Sequence, residues 1–283
     1  MSEHTSIAWT DSTWGRWWGC TEVSEDCINC YAKAMSAMYG RAEWGNNKPR
    51  TILSEANARL PFKWDRLAAA GRVGKDGKRW LVFVEDMGDL FDPYAPVKER
   101  QSVWDTVSRT PHLTYQVLTK RPENFKKFLP PDWGNGYRNV WLGVSVGNRK
   151  NGYPRIDILR DTPAKVRFLS CEPLLEDLPD INLTGIDWVI AGGESGPSSR
   201  RFDLSWARNL KTACRKAHVK FFMKQLGSKP TEDDSPFPIL QPQINGKKDV
   251  HGKCSTNFPD DLRVMEWPDS VHELPTLLME RNK

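Results

Sequence analysis

The sequence predicts an α/β protein, a (β/α) barrel of the full or partial TIM type. Three observations favour this class: short apolar runs recur from residue 80 onward, amphipathic stretches separate them, and almost every position within a run is apolar. Strands of that composition are buried on both faces, as in a parallel sheet covered by helices. The chain has room for about seven such β/α units, which suits a barrel better than the rival architecture, a doubly wound open sheet.

The elements follow in order along the chain. We expect a first strand near Ser6–Trp9 and, directly after it, a loop that carries three cysteines. Residues 41–79 read as an insertion with a helix near 53–70 and an exposed turn at 71–78. Six further strands are predicted at 80–84, 115–118, 140–144, 166–169, 188–191 and 219–223. Helices are predicted at 97–109, 122–128, 151–161 and 204–217, the last with Asp203 as its N-cap.

The chain divides in this interpretation into two parts. Residues 1–227 form the barrel domain, and residues 228–283 form a C-terminal lid or peripheral extension. The second part holds ten Asp/Glu and seven Lys/Arg, so the net charge of +5 separates into −3 there and +8 on residues 1–227. That positive excess permits a polyanionic partner, and it also serves solubility alone.

The expected location is the cytoplasm. No run approaches the roughly 20 apolar residues of a membrane span. The first residues lack the basic region and the apolar region of a secretory signal. Six cysteines in such a chain favour a reducing compartment. We therefore predict a protein without a membrane partner.

Three cysteines lie close together near the start of the chain: Cys20, Cys27 and Cys30, with the spacing C-x6-C-x2-C. A closed zinc site needs four ligands, and a disulfide framework needs an even number of cysteines. Three thiolates on one loop match a 4Fe–4S cluster whose fourth iron is open to a small molecule. The alternatives are zinc completed by His4, His218 or Cys254, a redox-active Cys27–Cys30 pair, and buried thiols without a chemical role.

Polar residues follow each predicted strand at its carboxyl end, where parallel α/β folds bind their ligands. We expect them to meet the cysteines at one mouth. The set comprises Asp86, Asp89, Lys120, Arg121, Ser145, Glu172, Glu194, Lys224 and Gln225.

A second motif is the stretch Gly192-Gly193-Glu194-Ser195-Gly196. Its glycines let the backbone approach a ligand closely, and Glu194 can bind an amine or ribose hydroxyls. A tight turn between a strand and a helix would also account for the glycines. Arg200 and Arg201, a few residues later, suit a phosphate contact or a solvated turn equally well.

Eight sequence blocks, in order over most of residues 5–227, resemble the phage-associated three-cysteine-motif family, which is regarded as similar to radical S-adenosylmethionine enzymes. The blocks are Ile7-Ala8-Trp9-Thr10-Asp11-Ser12-Thr13-Trp14, Gly19-Cys20 through Tyr31-Ala32, Met87-Gly88-Asp89-Leu90-Phe91, Leu118-Thr119-Lys120-Arg121-Pro122, Val140-Trp141-Leu142-Gly143-Val144-Ser145, Glu172-Pro173-Leu174-Leu175, Gly192-Gly193-Glu194-Ser195-Gly196 and Phe222-Met223-Lys224-Gln225. The usual spacing of the superfamily is C-x3-C-x2-C with an aromatic residue before the last cysteine. This chain has six residues in the first interval and Asn29 at that place.

The resemblance implies a phage or mobile-element origin, with the host cytoplasm as the location. Members are often encoded beside a three-Cys-motif partner protein, so such a protein is an expected partner, together with an electron donor. A nucleotide or nucleic acid becomes the expected substrate class.

These observations predict a radical S-adenosylmethionine-type iron–sulfur enzyme. Cys20, Cys27 and Cys30 would ligate the 4Fe–4S cluster. S-adenosylmethionine would bind through Gly192, Gly193 and Glu194 at its amino group, and through Ser145 and Glu172 at its ribose or carboxylate. Lys120, Glu172 and Lys224 would be catalytic, and Asp86, Asp89, Arg121 and Gln225 would shape the substrate pocket. The alternative is a zinc-stabilised nucleic-acid-binding module without radical chemistry.

Overall fold

The structure is a computed structural model that describes residues 2–41, 43–239, 243–244, 247–249 and 252–269. Its strands are, in chain order, β1 (Ser12–Trp14), β2 (Trp17–Trp18), β3 (Thr51–Ile52), β4 (Trp80–Val84), β5 (Leu113–Thr119), β6 (Val140–Ser145), β7 (Val166–Cys171), β8 (Trp188–Gly192), β9 (Phe202–Asp203), β10 (Lys220–Gln225), β11 (Pro230–Glu232), β12 (Ser235–Pro236), β13 (Gln243–Ile244) and β14 (Lys247–Lys248). Its α-helices are α1 (Tyr31–Met38), α2 (Glu55–Ala58), α3 (Leu60–Ala69), α4 (Val97–Arg109), α5 (Phe125–Phe128), α6 (Arg149–Asp161) and α7 (Leu204–Ala217).

Seven parallel strands form a sheet that curves into a half-barrel, in the order β1-β4-β5-β6-β7-β8-β10. Every pairing within this sheet is parallel, so all seven carboxyl ends lie along one rim. In the described part of the chain the edge strands β1 and β10 do not pair with each other, and the barrel is therefore partial.

Both faces of the sheet are buried, as the composition of the strands predicts. The larger hydrophobic cluster joins alternate strand residues such as Val82, Tyr115 and Leu142 to the helices. The residues between them face the opposite side, where Phe83, Trp141, Phe168, Trp188 and Phe222 form an aromatic cluster. Two segments outside the sheet complete that cluster, since Trp9 packs within it and Trp267 packs against it.

The predicted elements from residue 80 onward agree closely with the structure. The strand at 80–84 and the helices at 97–109 and 204–217 have the predicted bounds, and the Asp203 side chain caps the last helix by accepting a hydrogen bond from the Ser205 backbone. The first strand was placed wrongly. The sheet begins at Ser12–Trp14, and the apolar residues Ile7–Trp9 instead pack on the aromatic face.

Residues after 227 pack on the half-barrel in the ranges that are described. Strand β11 pairs with β9, and Met265 forms a bridge to Phe222 of β10. Phe258 and Leu262 belong to the helix-side cluster. Residues 270–283 of the predicted extension lie outside the described residues. None of the helices in the described ranges has the length and apolar character that a membrane crossing requires.

Candidate functional site

The cysteine segment, residues 20–30, lies at the rim where the parallel strands end. Cys20 follows β2, Cys27 ends a short 3-10 helix (Glu25–Cys27), and Cys30 stands at the N-cap position of α1. All three thiols are free, with Cys20 and Cys27 buried and Cys30 half-buried. Cys27 and Cys30 form one turn, because the Cys30 backbone amide donates to the Cys27 carbonyl oxygen.

Arg121, which follows β5, fixes the start of this segment. One guanidinium nitrogen, Nη1, lies 3.4 Å from Cys20 Sγ and 2.9 Å from Asp89 Oδ2, and the other, Nη2, donates to the Thr21 carbonyl oxygen. Arg121 and Asp89 are both buried. Burial raises the pKa of the Cys20 thiol to about 12, and the nearby Arg121 charge opposes that shift.

Arg155 of α6 fixes the middle of the segment. Its Nη1 donates to Asp26 Oδ2 at 3.0 Å and to the Ser145 carbonyl oxygen, and its Nη2 donates to Ser24 Oγ at 2.6 Å. Lys120 approaches the same region and donates to Ser145 Oγ at 3.3 Å. Burial alone would lower the pKa of Lys120, but the charges of Asp26, Cys27 and Cys30 raise it above its usual value.

The Asp26–Arg155 contact predicts an acid-dependent loss of stability. Burial alone would raise the pKa of Asp26, but Lys120 and Arg155 outweigh it and hold this pKa below its ordinary value of about 3.9. Since the folded pKa is the lower one, the stabilisation is present above about pH 4 and is lost as the pH falls through the folded value. We expect the melting temperature of the wild type to exceed that of Asp26→Asn by a constant amount from pH 7 to about pH 5, and the difference to shrink below about pH 4.

The matched control for this pH profile is Asp157→Asn, because Asp157 pairs with Arg160 on the surface. Its profile should run nearly parallel to that of the wild type. A difference between the wild type and Asp26→Asn that persists unchanged to pH 2 would contradict the assignment.

A third arginine, Arg200, fixes the end of the segment together with Glu194. Glu194 accepts from Asn29 Nδ2 at 2.8 Å, and Arg200 Nη2 donates to its other oxygen at 2.6 Å. Arg200 Nη1 also donates to the Glu25 carbonyl oxygen. Burial alone would raise the pKa of Glu194, but the hydrogen bonds from Arg200 and Asn29 lower it.

A second group of site residues lies beside the segment, across the carboxyl end of β8. Lys224 Nζ on β10 lies 3.0 Å from Glu172 Oε1, which follows β7, so the ion pair spans the intervening strand. Glu172 Oε1 is buried and accepts no hydrogen bond, so the contact is an ion pair alone. Glu172 Oε2 accepts from the Trp9 indole at 3.2 Å and from Ser170 Oγ.

Gly192 leaves the space through which this ion pair passes. A Cβ atom at Gly192 would lie 2.9 Å from Glu172 Oε1. Glycine is required at position 193 for a different reason: a Cβ atom there would lie 2.3 Å from the Leu226 carbonyl oxygen. The two glycines therefore allow a close approach, as expected, but the groups that approach them belong to this chain: the Glu172 side chain and the Leu226 backbone.

We expect Gly192→Ala to lower the free energy of unfolding by about 1 kcal/mol, because the added methyl group must shift the Glu172 carboxylate away from Lys224. The same substitution should cost less in a Glu172→Ala background, where that obstacle is gone. Urea unfolding of the two single variants and the double variant measures the difference. An equal cost in both backgrounds would show that Glu172 is not the obstacle.

The remaining predicted site residues contact other parts of the protein. Gln225 Nε2 donates to the Gly193 carbonyl oxygen and to Ser195 Oγ, and so holds the glycine-rich turn. Asp86 receives a hydrogen bond from the Tyr31 hydroxyl at its backbone oxygen, and its side-chain Oδ1 is buried without a hydrogen-bond partner.

The structure thus gathers Lys120, Arg121, Asp89, Ser145 and Glu194 around the cysteine segment, and sets Glu172 and Lys224 together across β8. Four further residues of the site were not predicted from the sequence: Asp26, Asn29, Tyr31 and Arg155. The sequence offered Arg200 only as a phosphate contact or part of a solvated turn, whereas in the structure it binds Glu194. Arg155 gives no sequence signal, since it lies inside a helical pattern. Asn29 and Tyr31 could have been found from their places inside and next to the cysteine motif.

Within the described residues, no three His, Cys, Asp or Glu side chains are gathered as a group that could hold a metal ion. Three free thiols come from this one segment, and two cationic side chains, Lys120 and Arg121, lie beside it. Cations next to thiolates offset the negative charge of a thiolate-ligated centre.

The fold and the site together define the class: an α/β half-barrel protein with a cysteine segment anchored at the carboxyl ends of its parallel strands. The chain belongs to the family DUF5131, described as a protein of unknown function, whose profile matches residues 4–259. Among the curated proteins and the solved structures, none matches this chain significantly.

Proposed function

We propose that this protein is a radical S-adenosylmethionine-type iron–sulfur enzyme that acts on a nucleotide or nucleic-acid substrate. The observation that carries the proposal is the position of the cysteine segment. Arginines from three separate parts of the half-barrel, Arg121, Arg155 and Arg200, hold it at the rim where such folds bind ligands.

The thiols of Cys20, Cys27 and Cys30 would hold the cluster. The chemistry that a reduced 4Fe–4S cluster supplies when bound is one-electron cleavage of S-adenosylmethionine, which releases a 5′-deoxyadenosyl radical. The resemblance to the three-cysteine-motif family supports the same assignment. The proposed partners are an electron donor and a three-Cys-motif partner protein.

The chain's own residues would divide the remaining tasks. Arg121 and Lys120 would offset thiolate charge, and Ser145 and Glu172 would orient the ribose or carboxylate of S-adenosylmethionine. Lys224, paired with Glu172, is a candidate to hold a proton near the substrate. Glu194 would bind the amino group, with the Gly192 and Gly193 backbone beside it. Asp86, which follows β4 and keeps one buried oxygen without a hydrogen-bond partner, would contribute to the substrate pocket together with Asp89 and Gln225.

Anaerobic purification and reconstitution with iron and sulfide test the proposal. We expect a brown protein with thiolate-to-iron absorption in the visible range and, after reduction with dithionite, formation of 5′-deoxyadenosine from S-adenosylmethionine. Protein that takes up zinc and no iron under these conditions would overturn the proposal. It would favour the zinc-stabilised nucleic-acid-binding module instead, whose DNA or RNA binding should weaken with salt and need no S-adenosylmethionine.

A further inference from the structure

The Glu194 carboxylate accepts four hydrogen bonds from within the protein. Oε2 accepts from Asn29 Nδ2 at 2.8 Å, from the Arg200 backbone amide at 2.8 Å and from Arg200 Nε at 3.1 Å. Oε1 accepts from Arg200 Nη2 at 2.6 Å. Each carboxylate oxygen offers two lone-pair sites, so Oε2 is fully used and Oε1 keeps one site open.

Both donor residues connect Glu194 to the cysteine segment. Asn29 lies between Cys27 and Cys30, and its amide also donates to the Ser198 carbonyl oxygen at 2.8 Å. Arg200 reaches the segment on the other side of Cys27, where its Nη1 donates to the Glu25 carbonyl oxygen at 2.8 Å. The turn is therefore held from both sides of Cys27 by contacts that meet at one buried carboxylate.

The thiols of this turn take little part in fixing it. Around Cys27, the polar neighbour is Ser24 Oγ at 3.9 Å, a long contact for a sulfur atom. Hydrogen bonds to a charged carboxylate are stronger than such contacts, so those at Glu194 hold the turn more firmly than its thiols do.

We propose that Glu194 is a positioning residue that fixes the Cys27–Cys30 turn against the carboxyl end of β8 through Asn29 and Arg200. This role rests on the proposed function, because the turn carries Cys27 and Cys30, two of the three proposed cluster ligands. It also restricts that function: the amino group must use the open lone-pair site of Glu194 Oε1, because displacing Asn29 or Arg200 would free the turn.

The test measures thiol accessibility in the metal-free, reduced full-length protein. Each cysteine is alkylated with iodoacetamide, and its rate is followed by mass spectrometry. We expect Glu194→Gln to raise the rates of Cys27 and Cys30 about tenfold, because local opening of the turn becomes easier. Cys20 is held by Arg121, and Cys171 and Cys214 are buried in the helix-side core, so their rates should not change.

Two further variants separate positioning from general loosening. Asn29→Ala removes the hydrogen bonds from the turn to Glu194 and to the Ser198 carbonyl oxygen and leaves the Glu194–Arg200 ion pair, so it should raise the same two rates. The double variant should show less than the product of the two single effects, because both act on one contact. Arg201→Gln is the matched control: this neighbouring arginine pairs with Asp203 and Asp234, and the rates should stay at the wild-type values.

Unchanged rates at Cys27 and Cys30 in Asn29→Ala would overturn the proposal, whether or not Glu194→Gln folds. An equal acceleration at all six cysteines would overturn it too, since Glu194 would then stabilise the fold in general. Because no metal is present in the assay, a protein that never binds iron leaves this result unaffected. The failure of one proposal is therefore distinguishable from the failure of the other.

Discussion

Replacement of Cys27 by alanine is expected to reduce the iron content of the reconstituted protein, and the yield of 5′-deoxyadenosine, at least about tenfold. Cys27 is a buried residue in the middle of the cysteine segment, and its loss would leave two of the three proposed thiolate ligands. Iron and acid-labile sulfide per chain, together with the visible absorption band, measure the first effect.

The control for this substitution is Cys254→Ala, the same chemical change at a half-exposed cysteine outside the segment. Its iron content should equal that of the wild type. A Cys27→Ala protein that binds iron as well as this control would exclude Cys27 as a ligand. Loss of folding without loss of iron would instead indicate a structural thiol.

The largest expected loss of stability is that of Arg50→Met, about 3–5 kcal/mol in the free energy of unfolding. Arg50 and Asp92 are fully buried, and Arg50 donates to Asp92 Oδ2 through both Nε at 3.0 Å and Nη2 at 2.6 Å. Its Nη1 donates hydrogen bonds to the carbonyl oxygens of Glu43, Gly45 and Lys48. The variant leaves a buried carboxylate unpaired and three carbonyl groups without this donor.

Urea unfolding measures this loss, and Arg149→Met provides the comparison. Arg149 pairs with Glu176 at the surface, so its removal should cost less than about 1 kcal/mol. Similar costs for the two variants would contradict the role given to burial. Arg50 also donates to Thr21 Oγ1, next to Cys20, so iron uptake by Arg50→Met should fall as well.

The fold from residue 80 onward was predictable because its signals are local. Runs such as Trp80–Val84 are apolar throughout, and the α7 helix combines helical spacing with a capping aspartate. The predicted position of the first strand was wrong for a physical reason. An apolar run indicates burial, and Ile7–Trp9 are buried by packing on the aromatic face rather than by pairing in the sheet. The degree of barrel closure depends on how the edge strands meet, which no local pattern encodes.

The candidate site was predictable in its location and much less in its contacts. Polar residues at successive strand ends lie along one rim in any parallel sheet, and the structure confirms that rim. Their partners are set by distances in space. Arg155 reaches Asp26 across 129 positions of sequence, and Asn29 reaches Glu194 across 165.

The sequence alone determined the α/β class, the helices and strands after residue 80 and the three-cysteine segment, because each depends on the residue types of neighbouring positions. The tertiary structure decided the rest: that the sheet stops at a half-barrel, that Gly192 makes room for the Glu172–Lys224 pair, and that three arginines hold the cysteine segment. The physical reason is that an ion pair or a close contact depends on which side chains share a buried volume. That volume exists only once the strands and helices have packed.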